Sequence, residues 1–266
     1  PLASGVLPLC FGEATKFSQY LLDSDKYYRS TYTFGVSTAT GDSEGDIISQ
    51  QDASNITKNQ VEQAIKSFQG EIDQVPSMYS ALKHNGQPLY KLARQGIEID
   101  RPARQITIFN YKIIDFRSGV HPQVDVEVHC SKGTYIRTLA EDLGTALGCG
   151  AHVSALHRFK AGPFDEQQTI TLDELEKLRD QGTVEQLDQL LKPVDTPVLD
   201  YPAVEFDQIM AGYFQLGQSI TLKKAFRQGQ EGDIVRVFRE DGAFLGIGTV
   251  TEDGKIAPKR LIVENA

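Results

Sequence analysis

Apolar residues fall at helical spacing across residues 12–22, where Ala14, Phe17 and Leu21 share one face, and the spacing predicts a helix. Residues 26–36 alternate instead, which places Tyr28, Ser30, Tyr32 and Phe34 on one face of a strand. Residues 38–46 are polar and Gly-containing and predict a loop. Thr57 and Gln60 form a capping box ahead of Val61, Ala64, Ile65 and Phe68, and Gly70 stops that helix. Residues 75–99 lose periodicity and turn basic, with one short helical piece before Gly96. Residues 106–116 and 124–130 alternate as strands, and after a Ser-Lys-Gly turn Ile136, Leu139, Ala140, Leu143 and Leu147 mark a helix face. Residues 153–159 read as a further strand. Two more capping boxes, Thr171/Glu174 and Thr183/Gln186, open short acidic helices, and Pro193, Pro197 and Pro202 punctuate a linker. From Val204 onward, short β-like runs between Gly and charged turns predict a small β-domain. There is no internal repeat.

The 266 residues are 40% apolar and 24% charged, the balance of a folded chain rather than a disordered one. No apolar run approaches the roughly 18 residues of a membrane-spanning helix, and no basic region with an apolar core opens the chain. Thirty-six acids against 27 bases give a net charge of −9, which on its face opposes a nucleic-acid partner. The charge is segregated, however. Residues 161–200 hold ten acids and three bases, whereas residues 76–104 hold five bases (Lys83, Lys91, Arg94, Arg101, Arg104) and two acids. An acidic total and a polyanionic partner are therefore compatible. Cys10, Cys130 and Cys149 are scattered and odd in number, which fits a reducing compartment better than a disulfide framework. Cys149 with His152, and His129 with Cys130, lack the four-ligand spacing of a zinc site, so no metal is expected. Asp42, Glu44 and Asp46 resemble the start of a calcium loop. Ile47 and Ala53 stand where its glycine and distant glutamate belong, so a solvated loop is expected.

Two stretches carry candidate chemistry. In Ser131-Lys132-Gly133-Thr134-Tyr135-Ile136-Arg137-Thr138 a strand runs through a Gly turn into a helix, where free backbone N–H groups favour an anion. Arg137 in the first turn suits holding a catalytic carboxylate, clamping a phosphate, or simply covering the surface. Residues 76–90, PSMYSALKHNGQPLY, interleave aromatics with bases, a pattern shared by single-strand nucleic-acid binders and by long surface loops. Taken from the residues alone, these alternatives stay open.

Three blocks, PLASGVLPLCFGEATKFSQYLLDSDKYYR, PSMYSALKHNGQPLYKLARQG and CSKGTYIRTLAEDLGTALGCGAHVSALHR, closely resemble the bacterial tRNA pseudouridine synthase B family, and the similarity spans essentially the whole chain. The resemblance implies an α+β fold, with a mixed, mainly antiparallel sheet flanked by helices, in a catalytic domain over residues 1–200. It also implies an RNA-gripping insertion near 72–100 and a PUA-like β-domain over 201–266, the last ending Ala257-Pro258-Lys259-Arg260-Leu261-Ile262-Val263. The implied reaction is isomerisation of the uridine at position 55, in the T loop of tRNA, by base flipping and covalent aspartate catalysis without cofactor or metal. Tyr28 matches the tyrosine that stacks on the flipped base and is implicated in late proton removal. Tyr135 and Leu156 match residues lining the base pocket, and Arg137 matches the arginine that pairs with the catalytic aspartate. Lys83, Lys91 and Arg94 in the insertion, with Lys132 and Arg158, are the expected RNA contacts. The implied partner is the tRNA T arm, with the acceptor stem met by the C-terminal domain, for a cytoplasmic monomer without membrane association.

One departure is plain. The family's aspartate stands immediately before the Pro-Leu-Ala-Ser-Gly run, which here begins at Pro1. The expectation is that the nucleophile belongs to an upstream segment and that this chain alone is inactive. The rival expectations are a non-catalytic tRNA-binding or tRNA-folding module and a small-molecule enzyme using the Pro1 amine.

Overall fold

A strand with one wet face alternates, and residues 26–34 do so over most of their length: Ser30, Tyr32 and Phe34 are buried on one side and Arg29 is exposed on the other, although Thr33 on that second side is buried too. The computed structural model describes residues 2–221 and 230–263, so Pro1 lies outside the described residues. In chain order the strands are β1 (Ser4–Gly5), β2 (Lys26–Phe34), β3 (Val36–Thr38), β4 (Ile47–Gln50), β5 (Gly70–Gln74), β6 (Lys83–His84), β7 (Gln87–Pro88), β8 (Arg104–Arg117), β9 (Gln123–Cys130), β10 (Ala151–Ala161) and β11 (Phe164–Asp165), followed by β12 (Ala203–Phe206), β13 (Ile220–Thr221), β14 (Ile234–Arg239), β15 (Phe244–Val250) and β16 (Lys255–Leu261). The α-helices are α1 (Ser18–Asp23), α2 (Lys58–Ile65), α3 (Leu89–Ala93), α4 (Ile136–Ala146), α5 (Leu172–Gln181), α6 (Val184–Asp188) and α7 (Gln208–Gln215).

The chain divides into two units. The first comprises Pro1–Leu7 with Asp23–Gln167. Its sheet runs β1-β10-β2-β9-β8-β5, with β11 added to β10, and every pairing is antiparallel except β1 on β10. Tyr32, Phe34, Val124, Val126 and Val128 from the sheet meet Val61 and Ile65 of α2 and Leu139 and Leu143 of α4 in one core. The α2 capping box is present as expected, with Thr57 accepting from the Gln60 N–H and Gln60 reaching back to the Thr57 N–H. Gly144 lets α4 approach β10. A methyl group there would fall inside the backbone of Gly150 and Ala151.

The second unit comprises Pro8–Leu22 with Gln168–Ala266. Its five-stranded sheet, β12-β14-β15-β16-β13, closes over Phe206, Phe214, Val235, Val237 and Ile256. The fold class is thus the α+β class expected, with a PUA-like C-terminal β-domain.

Three elements differ from the sequence pattern. The helix expected over 12–22 begins as a 3-10 turn, Gly12–Phe17, and becomes α-helical only at Ser18, because Phe11 offers no capping side chain. β5, GEIDQ, has a single apolar residue and sits at the sheet edge, so alternation could not reveal it. α7, QIMAGYFQ, is apolar enough to pass for a β-run; Asp207 caps it by accepting from the Met210 N–H at 2.8 Å.

Candidate functional site

The site forms where β2, β10 and the start of α4 converge. Tyr28 of β2 stands opposite Val128 of β9 and Arg158 of β10, and Leu156 of β10 stands opposite Ser30. Period-2 alternation therefore brings Tyr28 and Leu156 to the same face. Together with Leu2, Tyr135, Arg137, Asp42, Tyr79, Tyr90 and Arg94 they line a cleft of about 490 Å³. Burial pushes the Tyr28 hydroxyl above its ordinary value; nearby Cys130 adds to the rise and the Arg158 guanidinium opposes it.

The turn before α4 behaves as its sequence suggests. Gly133 takes φ +79°, Thr134 donates its hydroxyl to the Ser131 carbonyl, and Tyr135 becomes the N-cap residue of α4. Tyr135 is held through its backbone: its N–H donates to Oε1 of Gln74 at 2.8 Å, and the Gln74 amide donates to the Tyr135 carbonyl at 3.1 Å. Gln74 is 2% exposed, so this two-way clamp is what makes a buried amide tolerable.

Arg137 ties three segments together. One terminal nitrogen donates to the Thr40 carbonyl at 3.1 Å and to Oδ2 of Asp42 at 3.0 Å; the other donates to the Tyr79 carbonyl at 2.7 Å. Asp42 is itself fixed. Its other oxygen accepts from the Thr40 hydroxyl at 2.6 Å and the Glu44 N–H at 3.2 Å. Asp42 also bridges to Val153, with the Ser43 N–H donating to the Val153 carbonyl and the Val153 N–H donating to the Gly41 carbonyl. The polar loop expected over 38–46 is therefore strapped to the edge of β10. The sequence marks Asp42 only as part of a calcium-loop-like run expected to be solvated; its tie to Arg137 spans 95 residues and leaves no local signal. Gln74 is hidden for the same reason.

Glu141, one turn beyond Arg137 on α4, also escapes a reading of the sequence alone. Burial first, and then the charge of Asp142, push its carboxyl up to about 7; Asp42 adds to the rise, while Arg137 and Arg101 oppose it. Among the expected RNA contacts, Lys83, Lys91 and Arg94 are exposed, and Arg94 lies 5.6 Å from the Tyr90 ring. Lys132 is exposed and pairs with Asp23 at 2.8 Å. Arg158 turns inward and donates from Nε to the Val6 carbonyl at 2.8 Å. Among the described residues no three His, Cys, Asp or Glu side chains are placed to share a metal ion, and no helix is long and apolar enough to cross a membrane.

An arginine fixed beside a cleft lined by four tyrosines and two leucines can orient a carboxylate against a planar ring. Comparisons with known proteins identify the family. The family model described as TruB family pseudouridylate synthase (N terminal domain) matches residues 1–136. The tRNA pseudouridylate synthase B C-terminal domain model matches 137–199, and the Pseudouridine synthase II TruB C-terminal model matches 202–262. A protein of Saccharophagus degradans named tRNA pseudouridine synthase B is 53% identical over 265 residues, covering 100% of this chain and 85% of that protein. Proteins of the same name from Pseudomonas aeruginosa and Coxiella burnetii are 50% and 48% identical, each over 98% of this chain and over 84% and 82% of their own lengths. Among solved structures, a Cbf5-Nop10-Gar1 complex matches with a TM-score of 0.69 at 24% identity, covering 99% of this chain and 72% of that one. An H/ACA RNP bound to a substrate RNA containing 2'-deoxyuridine matches with a TM-score of 0.69 at 21% identity, covering 98% of this chain and 73% of that one. These structures share the fold.

Proposed function

The chain belongs to the TruB family of pseudouridylate synthases, and from that premise we propose that it isomerises uridine to pseudouridine at position 55, in the T loop of tRNA. The observation that carries this reading is the convergence of Tyr28, Tyr135, Leu156 and Arg137 on one cleft. The target uridine flips out of the loop, at a cost of a few kcal/mol of lost stacking, and slides onto the Tyr28 ring between Leu156 and Tyr135. By the family resemblance the nucleophile is an aspartate standing immediately before the Pro-Leu-Ala-Ser-Gly motif, with Arg137 matched to its arginine partner. Its carboxylate bonds to C1′ as the glycosidic C–N bond breaks, the rotated base then bonds to C1′ through C5 as the ester bond breaks and frees the carboxylate, and the C5 proton is lost. Arg137 keeps that carboxylate ionised and aimed, with Asp42 holding the guanidinium from the loop side. Lys83, Lys91 and Arg94 grip the T-arm phosphates, Lys132 adds a contact beside α4, and the C-terminal β-domain meets the acceptor stem. The protein acts as a cytoplasmic monomer.

The test uses the full-length gene product and a tRNA transcript carrying tritium at uridine C5. Tritium release, lost when the target uridine is replaced, is the expected result. Tight tRNA binding without release would instead mark a non-catalytic tRNA-binding module.

A further inference from the structure

Building on the proposed pseudouridine synthase reading, we propose that Arg158 is a positioning residue of the cleft, holding Tyr28 and fixing the course of residues 2–6, rather than a contact to RNA phosphates. Two observations carry this. First, Arg158 and Tyr28 are directly opposite each other in the antiparallel β10/β2 register. Their side chains therefore leave the sheet on the same face, with Cβ atoms about 5 Å apart. Burial pushes the Tyr28 pKa up first, and the charged neighbours come from both flanking strands: Cys130 on β9 pushes it further up and Arg158 on β10 pulls it down. Lys26, at the start of β2, completes the charged surroundings, and its own ammonium is held down by burial and by the Arg158 cation. A phenol in this apolar setting ionises reluctantly, and the guanidinium is the group that offsets the cost.

Second, Arg158 holds Val6 with both its backbone and its side chain. The Val6 N–H donates to the Arg158 carbonyl at 2.7 Å, and Arg158 Nε donates to the Val6 carbonyl at 2.8 Å. Gly5 pairs with Arg158 in the parallel β1/β10 ladder at φ +107°, and any side chain there would run into the Arg158 backbone. One residue thus sets the register of the segment that leads into the cleft. A guanidinium can bond one acceptor through Nε while its far end faces another group; an ammonium on the lysine stem has no such fork. With Nε committed internally, Arg158 is not placed to sweep solvent for phosphate. Its effect on the reaction runs through Tyr28, at the late proton removal, and through Val6, at the placement of the residues beside the nucleophile.

The experiment compares wild type, Arg158→Lys and Arg158→Gln as full-length gene products. Three readouts are taken: single-turnover tritium release at saturating tRNA across pH, tRNA affinity between 50 and 200 mM salt, and Tyr28 ionisation followed as the tyrosinate absorbance that disappears in Tyr28→Phe. In Arg158→Gln the saturated rate falls about a hundredfold, as for a misplaced reacting group. In that variant Tyr28 titrates higher and the alkaline limb of the rate profile moves up with it. Arg158→Lys keeps the limb, because the charge remains, but not the full rate. Affinity and its salt slope stay at wild-type values. A salt slope shallower by about one with an unchanged saturated rate would overturn the inference and make Arg158 a phosphate contact. A lowered melting temperature with unmoved Tyr28 titration and pH limb would overturn it as a merely structural role. Wild type without tritium release would sink the enzymatic reading, and the Tyr28 titration would still decide the role of Arg158.

Discussion

Arg137 spends its hydrogen bonds on two carbonyls and one carboxylate, from segments far apart in the sequence. A lysine there keeps the charge but satisfies at most one of these geometries well. Arg137→Lys is expected to reduce turnover about a hundredfold while leaving tRNA affinity near wild type; single-turnover rates and a filter-binding assay separate the two. Glu141 supplies the pH dependence. Burial first raises its folded-state pKa from 4.5 to about 7, so the folded protein binds the proton more tightly than the unfolded chain. This stabilising contribution is fully present below 4.5 and is lost as pH rises through about 7. Glu141→Gln removes that slope, so the variant should match wild type below 4.5, gain on it as pH rises from 4.5 to about 7, and hold a constant lead above that, as read from melting curves across pH. The legibility of these residues differs for a physical reason. Arg137 stands in a recognisable turn-and-helix start, whereas Asp42 matters through its tertiary bond to Arg137, and its neighbours Glu44 and Asp46 invite a calcium-loop comparison instead.

The elements legible in the sequence are those written in local chemistry. The Thr57/Gln60, Thr171/Glu174 and Thr183/Gln186 capping boxes all form, because each is closed by residues three apart. β5 and α7 stay hidden, the first for want of alternation and the second because eight residues with so many apolar positions have no distinguishing period. α4 owes its face to periodicity but its seat on β10 to Gly144, whose role is visible only once the two are packed. Gly144→Ala keeps helix propensity, indeed improves it, yet should destabilise the first unit by about 1–3 kcal/mol through overpacking. Thermal or denaturant unfolding measures this, and an increase in stability would refute the steric account.

At the scale of the whole chain, the net charge of −9 conceals two populations of side chains. The bases at residues 83, 91 and 94 are exposed, as are Asp173, Glu174 and Glu176 on α5. Neutralising Lys83, Lys91 and Arg94 together should flatten the salt dependence of tRNA binding by about 0.9 in the log–log slope for each phosphate left without its cation. Neutralising the three acids of α5 should leave that slope alone; titrations of affinity against salt distinguish the two.

The β1/β10 pairing has a consequence for the way the protein is made. Ser4 and His157, hydrogen-bonded in the fold, are 153 residues apart along the chain. A ribosome adding about 5–20 residues per second leaves β1 without its partner for roughly 8–30 seconds. Throughout that interval the Gly5 backbone is an unclaimed strand edge and Arg158 does not yet exist. The wall of the cleft beside Tyr28 is therefore among the last parts of the first unit to close during synthesis, however early its first residues emerge.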